Sequence, residues 1–265
     1  MKLIQVLCTV LTELSVGCLL MTCLLPPREI RTSFFTFISL LCALAAALAL
    51  VFSKALLQST WSEIRFLGLT VIGATAAFGA FRLEKPDLGR LLLLASGMIG
   101  FLVGLLPLSG QTLATRGIQT TSPGFFDAGV ISGTLLLGAT TVAMILGHWY
   151  LLMRRLSFEY LLRFAQIVLG AVALRILVVV GTLASLGQFD PQLAGVFIPS
   201  LWSLQHGNVF FLLMRILWGL ALPLVLAVMV LRCAHEKANQ PATGLLYVME
   251  ISVLFGELFA AYLLI

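Results

Sequence analysis

Charge is what this sequence has least of. Asp, Glu, Lys and Arg make up 10% of its 265 residues, whereas a soluble domain carries about 25% because its surface faces water. A chain this long with so few charges cannot cover a water-facing surface, so lipid must be the solvent for much of it. Histidine is also scarce, at three. The five cysteines, Cys8, Cys18, Cys23, Cys42 and Cys233, form no C-x-x-C pair, no zinc spacing and no C-x-x-C-H haem attachment. No covalently attached cofactor is therefore expected, and in apolar spans Cys is a small hydrophobe. A P-loop, G-x-S-x-G, H-E-x-x-H and an Asp-rich prenyl-diphosphate pattern are all absent. The basic excess, 16 Lys+Arg against 11 Asp+Glu, sits singly or in pairs in short loops. That distribution speaks for topology determinants and against nucleic acid as a partner.

Long apolar runs are what the sequence has instead. Sixty per cent of residues are hydrophobic and the mean hydropathy is +1.09. A span needs about 20 mostly apolar residues, and eight stretches qualify: roughly 3–25, 33–53, 65–82, 90–109, 128–153, 158–187, 206–232 and 243–265. The expected fold is all-α, a single polytopic membrane domain over 1–265 built from about eight transmembrane helices. A membrane barrel would alternate with period two instead. The run after Lys2 resembles a signal peptide, but it is long, contains Glu13, has no A-x-A-like site and ends at Pro26-Pro27, so it reads as a retained first span. The longest connections, 110–127 and 188–205, carry Gly, Pro and polar residues. The second is amphipathic enough to lie in the interface, with Trp202 as an anchor. Trp61, Trp149 and Trp218 also flank span ends for the most part, as an interfacial belt would. No repeat relates the two halves, which disfavours an inverted-repeat transporter.

Orientation follows from Lys and Arg in alternate loops. One set holds Arg28, Arg31, Arg82, Lys85, Arg90, Arg154, Arg155, Arg232 and Lys237; the other holds Lys2, Lys54, Arg65 and Arg116, nine against four. The larger set should be cytoplasmic and both termini periplasmic, in a bacterial inner membrane. Small residues recur within spans: Gly73, Ala77 and Gly79; Gly97, Gly100 and Gly104; Gly133 and Gly138. Such spacing lets helix backbones approach closely.

The informative residues are those that lipid tolerates poorly, since a charge at mid-bilayer costs about 3 kcal/mol on insertion scales. Glu13 lies mid-way along the first span, Arg175 in the sixth, Arg215 in the seventh, and Glu250 and Glu257 in the eighth. Thr243, Tyr247, Glu250 and Glu257 follow one another at helical spacing and make one polar stripe, which must point into the bundle. One reading is a structural ion pair of Glu257 with Arg215 or with Arg175. The other is that these acids carry protons or hold a polar headgroup. His148, beside Trp149 and Tyr150, reads as an interfacial histidine, as a hydrogen-bond or proton partner for quinone, or as a haem ligand. A bis-His haem lacks a second histidine at matching depth: His206 and His235 lie at span ends or in loops.

The opening LIQVLCTVLTELSVGCLL resembles the first span of the dimethyl-sulfoxide-reductase membrane anchors, and the terminal VLFGELFAAYLL resembles their last span. With the span count, this resembles the polysulfide-reductase (NrfD-like) and dimethyl-sulfoxide-reductase anchor subunits. The resemblance implies a bound quinone, iron–sulfur or cytochrome partner subunits, and a role at most as one subunit of an oxidoreductase complex. It carries over no site residue. The quinone or proton candidates from the residues themselves are His148, Tyr150, Arg175, Arg215, Tyr247, Glu250, Glu257 and Glu13. Two other functions stay open: a secondary transporter or proton-conducting protein, and a non-catalytic assembly or accessory subunit.

Overall fold

A computed structural model describes residues 2–56, 61–105, 124–153, 156–189 and 208–264. It is helical, with no strand among the described residues. The helices are α1 (Lys2–Thr22), α2 (Thr32–Leu56), α3 (Trp61–Arg82), α4 (Pro86–Ile99), α5 (Gly124–Leu152), α6 (Glu159–Phe189), α7 (Asn208–Ile216), α8 (Leu222–His235) and α9 (Asn239–Leu264). Among the described residues, two π-helical segments interrupt the α geometry. Gly100–Leu105 continues α4, and Leu217–Ala221 joins α7 to α8. Pro223 follows the second segment directly, and a proline there removes one helical hydrogen bond.

Among the described residues, six helical stretches are long and apolar enough to cross a bilayer: Leu3–Thr22, Thr32–Lys54, Asp127–Leu152, Glu159–Thr182, Val209–His235 and Asn239–Leu263. They coincide with six of the eight expected spans. The other two expected spans, 65–82 and 90–109, are helical over Trp61–Arg82 and Pro86–Leu105 but are not among those six. The α-helical part of α4 is 14 residues long, about 21 Å at 1.5 Å per residue. Residues 106–109 lie outside the described residues. So do the connections 110–127 and 188–205 apart from 124–127 and 188–189, and with them Arg116, Trp202 and His206.

Burial separates the centre of the bundle from its rim. Of the most apolar stretch of Asp127–Leu152, 78% is buried, against 17% for Val209–His235. Helix α5 is therefore the central post, packed by α1, α6 and α9. Alpha-helical small residues make this possible. Gly17 of α1 and Gly138 of α5 meet backbone to backbone, and a Cβ on either would run into the other helix. Gly219 and Gly256 form a second such crossing, between the π segment and α9. Gly73 closes on Ser96, Gly97 on Leu20 and Gly100 on Val16, whereas Gly79 has open space beside it.

Four turns gather at one end. Arg28 pairs with Asp87 at 2.9 Å, Arg90 Nε donates to the Cys23 carbonyl at 3.1 Å, and the Tyr160 hydroxyl donates to Glu29. Helices α3 and α8 finish alike at this end. The Lys85 N–H donates to Ala80 and Glu84 to Phe81; Ala238 donates to Cys233 and Lys237 to Ala234. These are Schellman turns, with Glu84 at φ 56° and Lys237 at φ 57° in the position that glycine usually takes.

Candidate functional site: a polar ladder along the central helix

The stripe on α9 faces α5, and the two helices run antiparallel. Thr243 therefore meets Gly147, Tyr247 meets His148, Glu250 meets Thr141, and Glu257 meets Gly133 and its neighbours. On α9 the steps are four, three and seven residues, each a helical repeat. On α5, Gly147, Thr141 and Gly133 keep the matching register, while His148, the partner of Tyr247, lies out of it beside Gly147. Thr243, Glu250 and Glu257 point inward as the spacing predicts. Tyr247 is 41% exposed and sits at the edge of the contact.

The lowest rung is an ionic cluster. Arg175 Nη2 lies 2.5 Å from Glu257 Oε2, and both side chains are almost wholly buried, at 6% and 5% exposure. Arg175 Nη1 donates to Ser132 Oγ at 3.0 Å and to the Gly129 carbonyl. Of the two pairings that the sequence leaves open for Glu257, the close one is with Arg175. Arg215 is within electrostatic reach of both Arg175 and Glu257. Glu13 of α1, 5% exposed, is within reach of the same two groups. A carboxyl of α1 and a guanidinium of α7 thus lie within electrostatic reach of the pair formed between α6 and α9. Within the Arg175–Glu257 pair, low dielectric strengthens the attraction but desolvation of both ions opposes it, so the pair is costly to break rather than a net source of stability.

Room for the cluster comes from Gly133. A Cβ there would fall 2.8 Å from Glu257 Oε2 and 3.2 Å from Arg175 Nη2. The sequence marks Gly133 as a packing residue, and the structure shows what it packs against. Ser132 and Gly129 were not anticipated; nothing in an apolar span distinguishes a serine that binds its own helix from one that meets an arginine.

The middle rung is Glu250, seven residues from Glu257 and so about 10 Å along α9. Thr141 Oγ1 donates to Glu250 Oε1 at 2.7 Å. Glu250 Oε2 is buried with no hydrogen-bond partner among the described residues. Between the two acids lie buried Leu137 and Val253 and the Gly17–Gly138 crossing. Hydroxyls of this region bond to backbone carbonyls: Thr140 donates to that of Leu136 at 3.0 Å, Ser15 to that of Cys42 at 3.0 Å and Ser252 to that of Trp218 at 2.6 Å.

The upper rung is a histidine–tyrosine pair. His148 Nδ1 and the Tyr247 hydroxyl are 3.0 Å apart, with the rings edge to face. Both side chains are exposed on the bundle surface. Tyr150 turns away from them. Its hydroxyl donates to the Ser157 carbonyl and accepts from the Leu161 N–H at 3.3 Å, tying α5 to the start of α6. The eight candidates therefore separate into four that cluster (Glu13, Arg175, Arg215, Glu257), Glu250 alone at mid-ladder, the His148–Tyr247 pair, and Tyr150 in a structural contact.

This chain matches no known protein-family model, no curated protein and no solved structure.

Proposed function

We propose that this protein is a multi-pass subunit of a membrane redox complex that exchanges protons with a quinone at the His148–Tyr247 pair and anchors an electron-transfer subunit. The observation that carries the reading is the pair itself: an imidazole and a phenol hydrogen-bonded at 3.0 Å on the exposed face of an apolar bundle, three residues from the Glu250 carboxyl. A quinone arrives through lipid, so its partner groups must face lipid. With Nδ1 engaged by Tyr247, Nε2 of His148 is the nitrogen left for the incoming oxygen. If Tyr247 donates to Nδ1, Nε2 carries the proton and donates to a quinone carbonyl. If Nδ1 donates instead, Nε2 accepts from a quinol hydroxyl. Oxidation of one quinol releases two protons and two electrons. His148 would take one proton and pass it to Glu250 before taking the second, and the two electrons would leave one at a time to a one-electron centre, iron–sulfur or haem, in the partner.

The chain crosses the membrane eight times in this proposal, with α3 and the α4 segment as the third and fourth crossings. The end that carries Arg28, Arg90 and Lys237 faces the cytoplasm of a bacterial cell, and both termini face the periplasm. The resemblance of its two ends to redox anchor subunits points the same way. Purification in mild detergent, protein mass spectrometry and organic extraction test the proposal together. Co-purifying quinone and an iron–sulfur or haem partner are the expected result, with quinone lost from His148→Ala. A chain free of both would end it.

One observation favours a second reading, as a proton-coupled transporter. The π segment Leu217–Ala221 lies between Arg215 and Pro223 and crosses α9 at Gly256, beside Glu257. Interrupted helices beside buried ions are how many transporters hold their substrates. Proton flux into liposomes that disappears in Glu257→Gln would support it.

A further inference from the structure

Away from the ladder, at the end where the four turns gather, a cavity of about 540 Å³ opens between α2, α3 and the end of α5. Its volume is that of a small-molecule site. Its lining is divided. Thr32, Ser33, Thr36, Arg82 and Glu84 make a polar rim, and Phe37, Leu40, Phe78, Phe81 and Trp149 make an apolar floor. Phe37 and Leu40 are 49% and 42% exposed, so the floor continues onto the outer surface of the bundle.

The charges on the rim say what fits. Arg82 and Glu84 are both exposed, and neither takes part in an ion pair among the described residues. Two residues apart on the chain, they offer one cationic and one anionic partner to the same occupant. Thr32 and Ser33 begin α2, where hydroxyls and the first backbone N–H groups favour an anion. Trp149 adds an indole N–H that is buried with no hydrogen-bond partner among the described residues. This lining suits an occupant that is anionic at one point, cationic at another and apolar below, and the floor opens onto the apolar outer surface of the bundle.

We infer that this cavity is a binding site for a zwitterionic aminophospholipid. The phosphate lies against Arg82 and the start of α2, the ammonium lies against Glu84, and an acyl chain leaves over Phe37 and Leu40. A purely anionic lipid satisfies Arg82 but meets the Glu84 carboxylate. The site is independent of the quinone reading, since it shares no residue with it.

The test is competition in nanodiscs made of equal parts phosphatidylethanolamine and phosphatidylglycerol, followed by native mass spectrometry of the released full-length chain. The wild type should retain phosphatidylethanolamine several-fold over phosphatidylglycerol. Arg82→Gln should lose retained phospholipid several-fold. Glu84→Gln should keep bound phospholipid but lose the preference. All three positions of comparison are at the surface, so folding is preserved; Arg163→Gln, an exposed arginine at the start of α6, should behave as wild type. No retained lipid, equal retention of the two lipids by the wild type, or an Arg82→Gln variant that retains as much as wild type would each overturn the assignment.

Discussion

Replacing Gly133 by alanine should destabilise the protein, against the usual effect of that substitution in a helix. In an unobstructed helix interior, Gly→Ala stabilises by about 1 kcal/mol, because alanine loses less conformational freedom. At Gly133 the added methyl falls 2.8 Å from Glu257 Oε2 and 3.2 Å from Arg175 Nη2. Neither group retreats easily: Arg175 is held by Ser132 and the Gly129 carbonyl as well as by Glu257. Overpacking a buried site costs about 1–3 kcal/mol, and separating part of a buried ion pair adds to this, since losing one partner outright costs about 3–5 kcal/mol. After the propensity gain is offset, about 2 kcal/mol of net loss remains, roughly a thirtyfold change in the folding equilibrium. Titration with sodium dodecyl sulfate in mixed micelles, followed by circular dichroism, measures it. Gly170→Ala is the control: it lies in α6 with nothing within 4 Å of its Cβ position, and it should be neutral or stabilising. If Gly133→Ala unfolds at or above the Gly170→Ala midpoint, the ionic cluster is not confined as described.

Glu257→Gln should cost about 3–5 kcal/mol by leaving Arg175 buried without its counter-ion, whereas Arg175→Leu with Glu257→Leu together should recover most of that loss; the same micelle titration distinguishes them. Gly17→Leu should prevent α1 from docking on α5, because its Cβ meets the Gly138 backbone at 3.0 Å; protease protection of α1 in liposomes should fall sharply. Lys237→Gly should stabilise the protein by about 1 kcal/mol, because φ is 57° there and a left-handed conformation is costly for any residue with a Cβ; a raised midpoint in the same titration is the expected outcome.

Much of this arrangement is legible in the sequence because lipid makes polar residues conspicuous. The spacing of Thr243, Tyr247, Glu250 and Glu257 places them on one helix face, and the structure turns that face onto α5 with Tyr247 at its edge. Glu13, Arg175, Arg215 and Glu257 stand out individually for their cost in an apolar span, and they converge. What the sequence leaves hidden is which neighbour each one meets. Arg175 rather than Arg215 takes Glu257 because of where α6 and α7 settle, which is a property of helix packing. Of the decisive packing residues, Gly17 and Gly219 carry no spacing signal of their own, since one crossing needs only one small residue from each helix, whereas Gly256 stands four residues from both Ser252 and Ala260. The Arg82–Glu84 cavity is equally silent: its rim joins the start of one helix to the end of another, and only the turn geometry brings them together. Tyr150 shows the opposite error of proximity, as its neighbour in sequence, His148, faces another way around the helix.

The meeting of Gly17 with Gly138 also has an electrical meaning. With Leu137 and Val253 it forms a tightly packed layer between Glu250 and Glu257, which are about 10 Å apart along the helix axis. A charge carried through the full membrane does work of about 2.3 kcal/mol per 100 mV, and this layer occupies roughly a third of a 30 Å hydrocarbon core. With α9 spanning the bilayer along its normal, the two acids would lie at different potentials in an energised membrane. A proton gained at Glu250 and returned by way of His148 draws nothing from that voltage, while one passed on to Glu257 would draw about 0.8 kcal/mol per 100 mV.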